Sequence, residues 1–439
     1  MTTTAEIRYR QFPLRRFITD ITDGPFGSAL TSSHYADEGA RVIRLGNVGS
    51  AVFKDMNAAY ISLDYFKELR RHEVLPGDLI IAGLGDGNHP VGRACVAPGH
   101  LGPAIVKADC FRVRLDEKRL THRYAAWALS SSFVSDQVSS LTRGSTRARI
   151  NLEVVRDIQL PIPSMEEQRR VASFLDAETA HIDRLAEMRK AQIELLDLRL
   201  TQLVDGVVAG DRDALNEIGG GCEQNTWQDG KVSRFCEVIP GYAFPSSGFL
   251  TEGGGVRLLR GINIAPGRIV WGDVEYWDLN SAPVPHRFAL REGDLVVGMD
   301  RPWVAGGARI ASIRQCDLPA LLLQRVACLR PKSPNINTKF IYWVLRSTQF
   351  RLAVESEMTG VSVPHLSGDQ IGGFRFKFPE LQAQENLATA LEAQAAKTEE
   401  LKTAISEQVA LLAERRQALI TAAVTGHFDV TTAGRSSAI

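Results

Sequence analysis

The side chains best suited to chemistry lie in two short polar segments. LTRGSTRARIN (141–151) places Arg143, Arg147 and Arg149 around the small residues Gly144, Ser145 and Thr146. A guanidinium donates two hydrogen bonds to the O6/N7 edge of guanine, and a Ser or Thr hydroxyl adapts to either base type. MTGVSVPHLSG (358–368) offers Ser362 and His365 instead. GDGNHP (85–90) and MDRPW (299–303) add Asn88, His89, Arg301 and Trp303. This is the chemistry of recognition rather than of bond cleavage. The plainer alternative is that these segments only turn the chain into its next strand, with their polar groups in water.

Other chemistries find no pattern to support them. The six cysteines (95, 110, 222, 236, 316 and 328) form no C-x-x-C pair, and the nine histidines form no H-E-x-x-H or H-x-x-x-H. Zinc needs ligands at such short spacings, so no metal site is expected, and the cysteines are read as reduced, mostly buried thiols. There is no G-x-x-x-x-G-K-[ST] phosphate loop. AGLGDGNHPVG (82–92) is glycine-rich without the spacing of a nucleotide cradle and reads as a loop between strands.

The elements that carry these segments are written twice. LPIPSMEEQRRVASFLD (160–176) recurs as FKFPELQAQENLATALE (376–392), 216 positions on. The same offset joins Arg44 to Arg260, Asn47 to Asn263, Asp78 to Asp294, Arg93 to Arg309, Trp127 to Trp343, Arg199 to Arg415 and Gly210 to Gly426. Near the start it becomes 218, where Arg16-Phe17 meets Arg234-Phe235. Sought before any other feature, the repeat gives an order A–B–A′–B′, with A globular and B helical.

The A units read as mixed and strand-rich. RVIRL (41–45), DLIIA (78–82) and FRVRL (111–115), with VRLLR (256–260), DLVVG (294–298) and VACLR (326–330), read as strands, and LPGD and REGD as tight turns. THRYAAWALSSSF (121–133) and NTKFIYWVLRSTQF (337–350) read as short helices with a core Trp. The B units are long helices. Ser164 and Glu167 fit a capping box, and narrow apolar stripes (Val171, Leu175, Ile182 to Val207; Leu387, Leu391, Leu401 to Leu419) run without Pro or Gly through 166–205 and 380–425. Narrow stripes with charged flanks mark a coiled-coil seam.

The expected fold class is therefore α+β: two pseudo-repeated mixed strand-rich domains joined by a long antiparallel two-helix coiled coil. Expected boundaries are a first domain at 1–163, a helix at 164–208, a polar linker at 209–230, a second domain at 231–379, a helix at 380–425 and a tail at 426–439. The antiparallel arrangement follows from treating two equal A–B units as a pseudo-dimer about a two-fold axis.

Formal net charge is zero over 439 residues. It divides unevenly: +4 for residues 1–165, −3 for 166–208, +2 for 209–379 and −3 for 380–424. Basic domains beside acidic helices point to nucleic acid on the domains. No apolar run reaches the ~18–20 residues of a membrane span, and the start has no apolar signal core. A cytoplasmic location is expected, with no membrane contact.

With these residues in view the chain resembles the specificity subunit of a type I restriction-modification enzyme. The match rests on GSTRARINLEVVRDIQLPIP (144–163), IPSMEEQRRVASFLD (162–176), GVSVPHLSGDQIGGFRFKFP (360–379) and RRQALITAAVTGHFDV (415–430), in this order and in a common register. The first helix ends DLRLTQLVDGVVAG (197–210), a weaker form of the RRQALITAAVTG pattern. The resemblance implies two target-recognition domains, each reading half of an asymmetric bipartite target in double-stranded DNA. It implies docking of DNA methyltransferase subunits, two in number, and of restriction/translocase subunits. It implies a non-catalytic chain without a cofactor of its own, S-adenosylmethionine, ATP and Mg being used by the partner subunits. The chain agrees in lacking the Pro-Pro pair of an amino-methyltransferase motif.

The repeat then sorts residues. Base readers should differ between the units, whereas phosphate contacts and scaffold can be shared. Arg143, Ser145, Thr146, Arg147, Arg149, Ser362 and His365 are the expected readers, with Asn88 and Arg301 second. The shared Arg44, Arg260, Arg93 and Arg309 are expected phosphate contacts, or else salt bridges. Gln168, Arg169, Arg170, Gln384, Thr425 and Gly426 are the expected docking residues, or else caps and surface charge. Two rivals stand beside this: a coiled-coil scaffold whose globular ends bind proteins, and a self-sufficient methyltransferase or nuclease.

Overall fold

The computed structural model describes residues 8–86, 89–141, 148–219, 227–250, 254–279, 284–304, 306–355 and 365–430. The chain forms two compact units, one of residues 1–190 with 406–439 and one of residues 191–405. Each long helix, Met165–Ala209 and Leu381–Thr425, therefore contributes one part to each unit.

In the first unit a four-stranded sheet has the order Ile18–Thr22, Cys110–Leu115, Leu79–Ala82, Ala94–Val96, and its described pairings are antiparallel. The second unit repeats it with Cys236–Pro240, Val326–Pro331, Leu295–Gly298 and Ile310–Ser312. Leu79–Ala82 and Leu295–Gly298 are buried at every position, which is why both read as continuous apolar runs. A second sheet in each unit contains a parallel pair, Arg41 opposite Ala104 in one and Arg257 opposite Ala320 in the other. Parallel partners need a long crossover, and Leu79–Ala82 and Leu295–Gly298 lie within the two crossovers.

The turns behave as their sequences predict. Gly77 and Gly293 take φ of 91° and 82°. Asp78 and Asp294 accept the backbone N–H of Leu75 and Arg291, 2.8 Å each. Both carboxylates also hold an arginine of the neighbouring strand, Arg114 at 2.8 Å and Arg330 at 2.6 Å. Trp127 and Trp343 are core residues.

Each unit closes on itself with a strand pair, Gln11–Pro13 with Gln159–Pro161 and Gln228–Lys231 with Arg375–Phe378. The expected linker at 209–230 is thus shorter than its composition implied. Arg212–Glu217 is a helix capped by Asp211, and residues 228–230 already belong to the second domain's closing pair.

Both long helices number 45 residues. Ser164 and Glu167 form the capping box: Ser164 N donates to Glu167 Oε2 at 3.2 Å and Glu167 N to Ser164 Oγ at 3.3 Å. Within the first unit, Val171, Ala172 and Leu175 share a core with Ile420, Ala423 and Val424, and Asp183 pairs with Arg416 at 2.9 Å. Within the second, Leu203, Val204 and Val207 share a core with Leu387, Ala388 and Leu391, and Asp197 pairs with Lys402 at 2.8 Å. In each unit the two helices run in opposite senses. Their outer turns belong to a globular core, whereas Leu185, Ile193 and Leu196 are only half-buried and Leu401 is exposed.

Candidate nucleic-acid interface

The strand Leu79–Ala82 ends beside two returning segments. Gly83 N donates to Asp109 O at 2.7 Å, Ile150 N donates to Gly83 O at 2.9 Å, and a bridge joins Leu84 to Arg149. In the second unit Met299 N donates to Arg325 O at 2.9 Å, Leu366 N to Met299 O at 2.8 Å, and a bridge joins Asp300 to His365. The frame is the same, position for position. Asp109 and Arg325 occupy equivalent positions with φ of 66° each, in the left-handed region that non-glycine residues seldom enter.

The side chains on this common frame differ. In the first unit Arg149 donates through Nε to Asp109 Oδ1 at 2.8 Å and lies 5.7 Å from the centre of the exposed Phe26 ring. In the second, Arg325 donates through an amino group to Asp300 Oδ2 at 2.8 Å, and His365 Nδ1 meets Asp300 Oδ1 at 2.7 Å. Burial pushes the Asp300 carboxyl up, but the His365 and Arg325 hydrogen bonds outweigh it and hold the group below its ordinary value. In the first unit a cavity of about 570 Å³ is bounded by Arg44, Asn57, Lys107 and Asp109. It meets at Asp109 a second of about 380 Å³ lined by Asp23, Phe26, Arg149 and Asn151. Burial, with Asp109 adding repulsion, raises the Asp23 carboxyl to about 6.

The expected readers fall unevenly. Arg143, Ser145, Thr146, Arg147, Asn88 and Ser362 lie outside the described residues. Arg149 and His365 meet the common frame. Arg301 is exposed next to Asp300, with φ of 45°. Trp303 rests against Phe350, ring centres 6.2 Å apart, at the edge of the core.

Of the shared arginines, Arg93 and Arg260 are held within their own units. Arg93 is buried and donates to the carbonyls of Val48 (2.7 Å), Leu84 (3.2 Å), Pro90 (2.9 Å) and Leu45 (3.1 Å). It ties three loop segments together and has no open face for a phosphate, so the expectation for Arg93 is corrected. Arg260 takes the salt-bridge alternative: its guanidinium meets Asp273 at 2.7 Å and Glu275 at 2.8 Å. Arg309 is half-buried, with its stem against Gly298. Arg44 donates to the Asn57 carbonyl and remains on the cavity wall. The spacing Arg-x-x-Asn is itself a loop staple: Asn47 Nδ2 donates to Lys54 O and Met56 O at 2.9 Å each, and Asn263 Nδ2 to Val270 O at 3.1 Å and Asp273 O at 2.8 Å.

Four expected docking residues are internal as well. Gln168 is fully buried; its Oε1 accepts Thr121 N at 3.0 Å and its Nε2 donates to Arg119 O at 3.0 Å and Pro163 O at 3.2 Å. Gln384 repeats the triad with Asn337 N at 2.9 Å, Asn335 O at 3.2 Å and Pro379 O at 2.8 Å. Thr425 is buried at the end of the second helix, where Oγ1 donates to Thr421 O at 2.7 Å. Gly426 follows with φ of 81°, under the Tyr9 ring. These residues are buried and fasten helix ends within their own units. Arg169 and Arg170 are exposed, Arg170 with Glu166 at 3.2 Å.

Sequence reasoning missed Asp109, Asp300 and Arg325. The signal was present in the repeat, because Leu84 stands against Asp300, Asp109 against Arg325 and Arg149 against His365 at the common offset of 216.

Among the described residues no group of three or more His, Cys, Asp or Glu is placed to hold a metal, and no helix is long and apolar enough to cross a membrane. The described cysteines are free; burial raises the Cys95 thiol to about 12 and the Cys236 thiol to about 11.

The specificity subunit of type I restriction enzyme MjaVIII from Methanocaldococcus jannaschii is 25% identical over 348 residues, covering 76% of this chain and 78% of that one. Among solved structures, one described as the structural basis of complex assembly and conformational transition of the type I R-M system matches with a TM-score of 0.70 at 18% identity, over 96% of this chain and 98% of the other. The HsdS subunit from Thermoanaerobacter tengcongensis matches with a TM-score of 0.55 at 18% identity, over 96% and 97%. The family model of the type I restriction modification DNA specificity domain matches twice, at residues 34–195 and 225–411. Two copies of one domain in one chain, on one repeated backbone frame, make this protein a member of the type I restriction-modification DNA specificity family.

Proposed function

We propose that the chain selects DNA for a type I restriction-modification complex, each unit reading one half of an asymmetric two-part target, and that it makes and breaks no bonds itself. The observation that carries this is the common backbone frame with unlike side chains. A scaffold used twice needs the same frame, and two different half-sites need different contacts on it. Both units also present exposed arginines, the residue type of guanine and phosphate recognition. On this reading the two long helices set the length of the unread spacer. At ~1.5 Å per residue each spans roughly 65–70 Å, enough to separate sites about one turn of duplex apart, ~34 Å.

Methyltransferase and restriction subunits then dock on the helices, and they bring S-adenosylmethionine, ATP and Mg. Support for docking comes from exposed side chains: Arg169, Met188 and Leu411 in the first unit, and Leu195 and Leu198 in the second. The likeness to a structure of complex assembly in the type I R-M system supports the same view.

The test is binding of the purified chain, alone and with methyltransferase subunits, to duplex DNA across a salt series. Phosphate neutralisation makes log affinity fall linearly with log salt. A steep negative slope, strengthened by the methyltransferase, is expected. Absence of duplex binding in the assembled complex would favour a protein-interaction scaffold.

A further inference from the structure

We propose that Arg149 in the first unit and Arg325 in the second each read a guanine in their own half-site, each positioned by an aspartate, Asp109 and Asp300 respectively. The inference rests on the DNA-reading function proposed above and names the contact that discriminates.

The two arginines are not equivalent in sequence. Position 149 corresponds to His365, and position 325 to Asp109. They are equivalent in arrangement. Each unit places an exposed guanidinium at the mouth of the same frame, 57% exposed for Arg149 and 70% for Arg325, and each holds it with a carboxylate only 23% or 25% exposed. The same device is thus built from different positions, which moves the reading group across the frame and lets two units of one fold address different bases.

The geometry leaves the correct edge open. Asp109 Oδ1 takes both Nε, at 2.8 Å, and a terminal amino group, at 2.8 Å, of Arg149. That occupies the Nε side edge of the guanidinium, and the end edge made by the two terminal amino groups keeps one further N–H on each. Asp300 takes a single terminal amino group of Arg325 at 2.8 Å, leaving the edge made by Nε and the other amino group. Either free edge matches the two acceptors O6 and N7 of guanine in the major groove. Asp300 spends its second oxygen on His365 at 2.7 Å, so no bare carboxylate edge remains on that side to repel a phosphate.

Stability does not account for the arrangement. An exposed ion pair contributes little, no more than a left-handed backbone costs a non-glycine residue. Yet Asp109 and Arg325 both hold φ of 66° at the same place in their units. Left-handed backbone at matched positions, carrying opposite charges, is the pattern expected of one frame used for two different contacts.

The test is methylome sequencing of cells in which this chain is replaced by wild type, R149A, R325A or D300N. If wild type directs no sequence-specific methylation, the DNA-reading function itself fails. If wild type directs a bipartite motif, R325A should lose the requirement for one guanine in one half, with the other half and the spacer intact, and R149A should do so in the other half. Loss of a bidentate contact predicts roughly a 5–150-fold drop in discrimination at that base pair. D300N should keep the preferred base with weakened discrimination, as expected for a positioning residue. Should methylation vanish in a variant, its purified complex is assayed on synthetic duplexes substituted one base at a time. Unchanged discrimination there, or the same half-site altered by R149A and R325A, overturns the proposal.

Discussion

At the scale of single residues, the side chains shared by the two units are mostly fasteners. Gln168 and Gln384 each join the start of a long helix to the loop before a core helix through two hydrogen bonds, with a third to the carbonyl at the helix's own start, and both are fully buried. Q168A leaves a buried donor and two acceptors without partners and should cost about 2–4 kcal/mol, read by denaturant unfolding of the purified chain. Retention of wild-type stability would count against the fastening role. R93A should likewise lower stability and leave the salt slope of DNA binding unchanged, because its N–H groups serve four carbonyls. Asp23 makes a pH prediction. Its carboxyl is raised to about 6, so the folded state favours the neutral form. The stability this supplies is fully present below the ordinary carboxylate range, ~4, and is lost as pH rises through about 6. D23N should therefore melt above wild type at pH 7.5, with the difference closing as pH falls toward ~4. These roles were only partly legible in the sequence. An identical Arg, Gln or Asn at a fixed offset looks the same whether it holds a phosphate or a backbone carbonyl, and only burial separates the two. Arg149 and His365 were legible as differing residues. Asp109 and Arg325 lay in short turns without glycine, where nothing local announces a left-handed backbone, and Asp300 precedes Arg301, which has φ of 45°.

At the scale of elements, periodicity and capping chemistry carried most of the information. The two inner strands of each main sheet, the capping box at Ser164 and the two long helices follow from apolar spacing and turn residues, whereas the outer strands Ile18–Thr22, Ala94–Val96, Cys236–Pro240 and Ile310–Ser312 were not read from the sequence. The two-residue strands at the margins, such as Tyr35–Ala36 and Glu73–Val74, are too short to show a period. The helical stripe also misled in its middle, where Leu401 is exposed, since spacing alone does not tell a seam from a core. The helix end at Gly426 offers a test. Its φ is 81°, and a Cβ there would lie 2.8 Å from the Tyr9 ring. Gly219 has φ of 71° with nothing near such a Cβ. G219A should cost about 1–2 kcal/mol of backbone strain, and G426A distinctly more, measured by thermal unfolding. Equal losses would show that Tyr9 yields freely.

At the scale of the whole molecule, one chain holds two versions of one unit, and both long helices pass from one unit into the other. If the helices determine the unread spacer, adding seven residues to each, after positions 190 and 405, should lengthen the spacer and leave the bases of both half-sites unchanged. Altered half-sites with an unchanged spacer would refute that role. The claim beneath all of this is that the chain decides which DNA sequence its complex modifies. The most direct measurement compares adenine methylation across the host genome with the gene for this chain intact and deleted. Deletion should erase one asymmetric two-part motif, and restoring the gene should bring it back. A methylation pattern identical with and without the chain would contradict it.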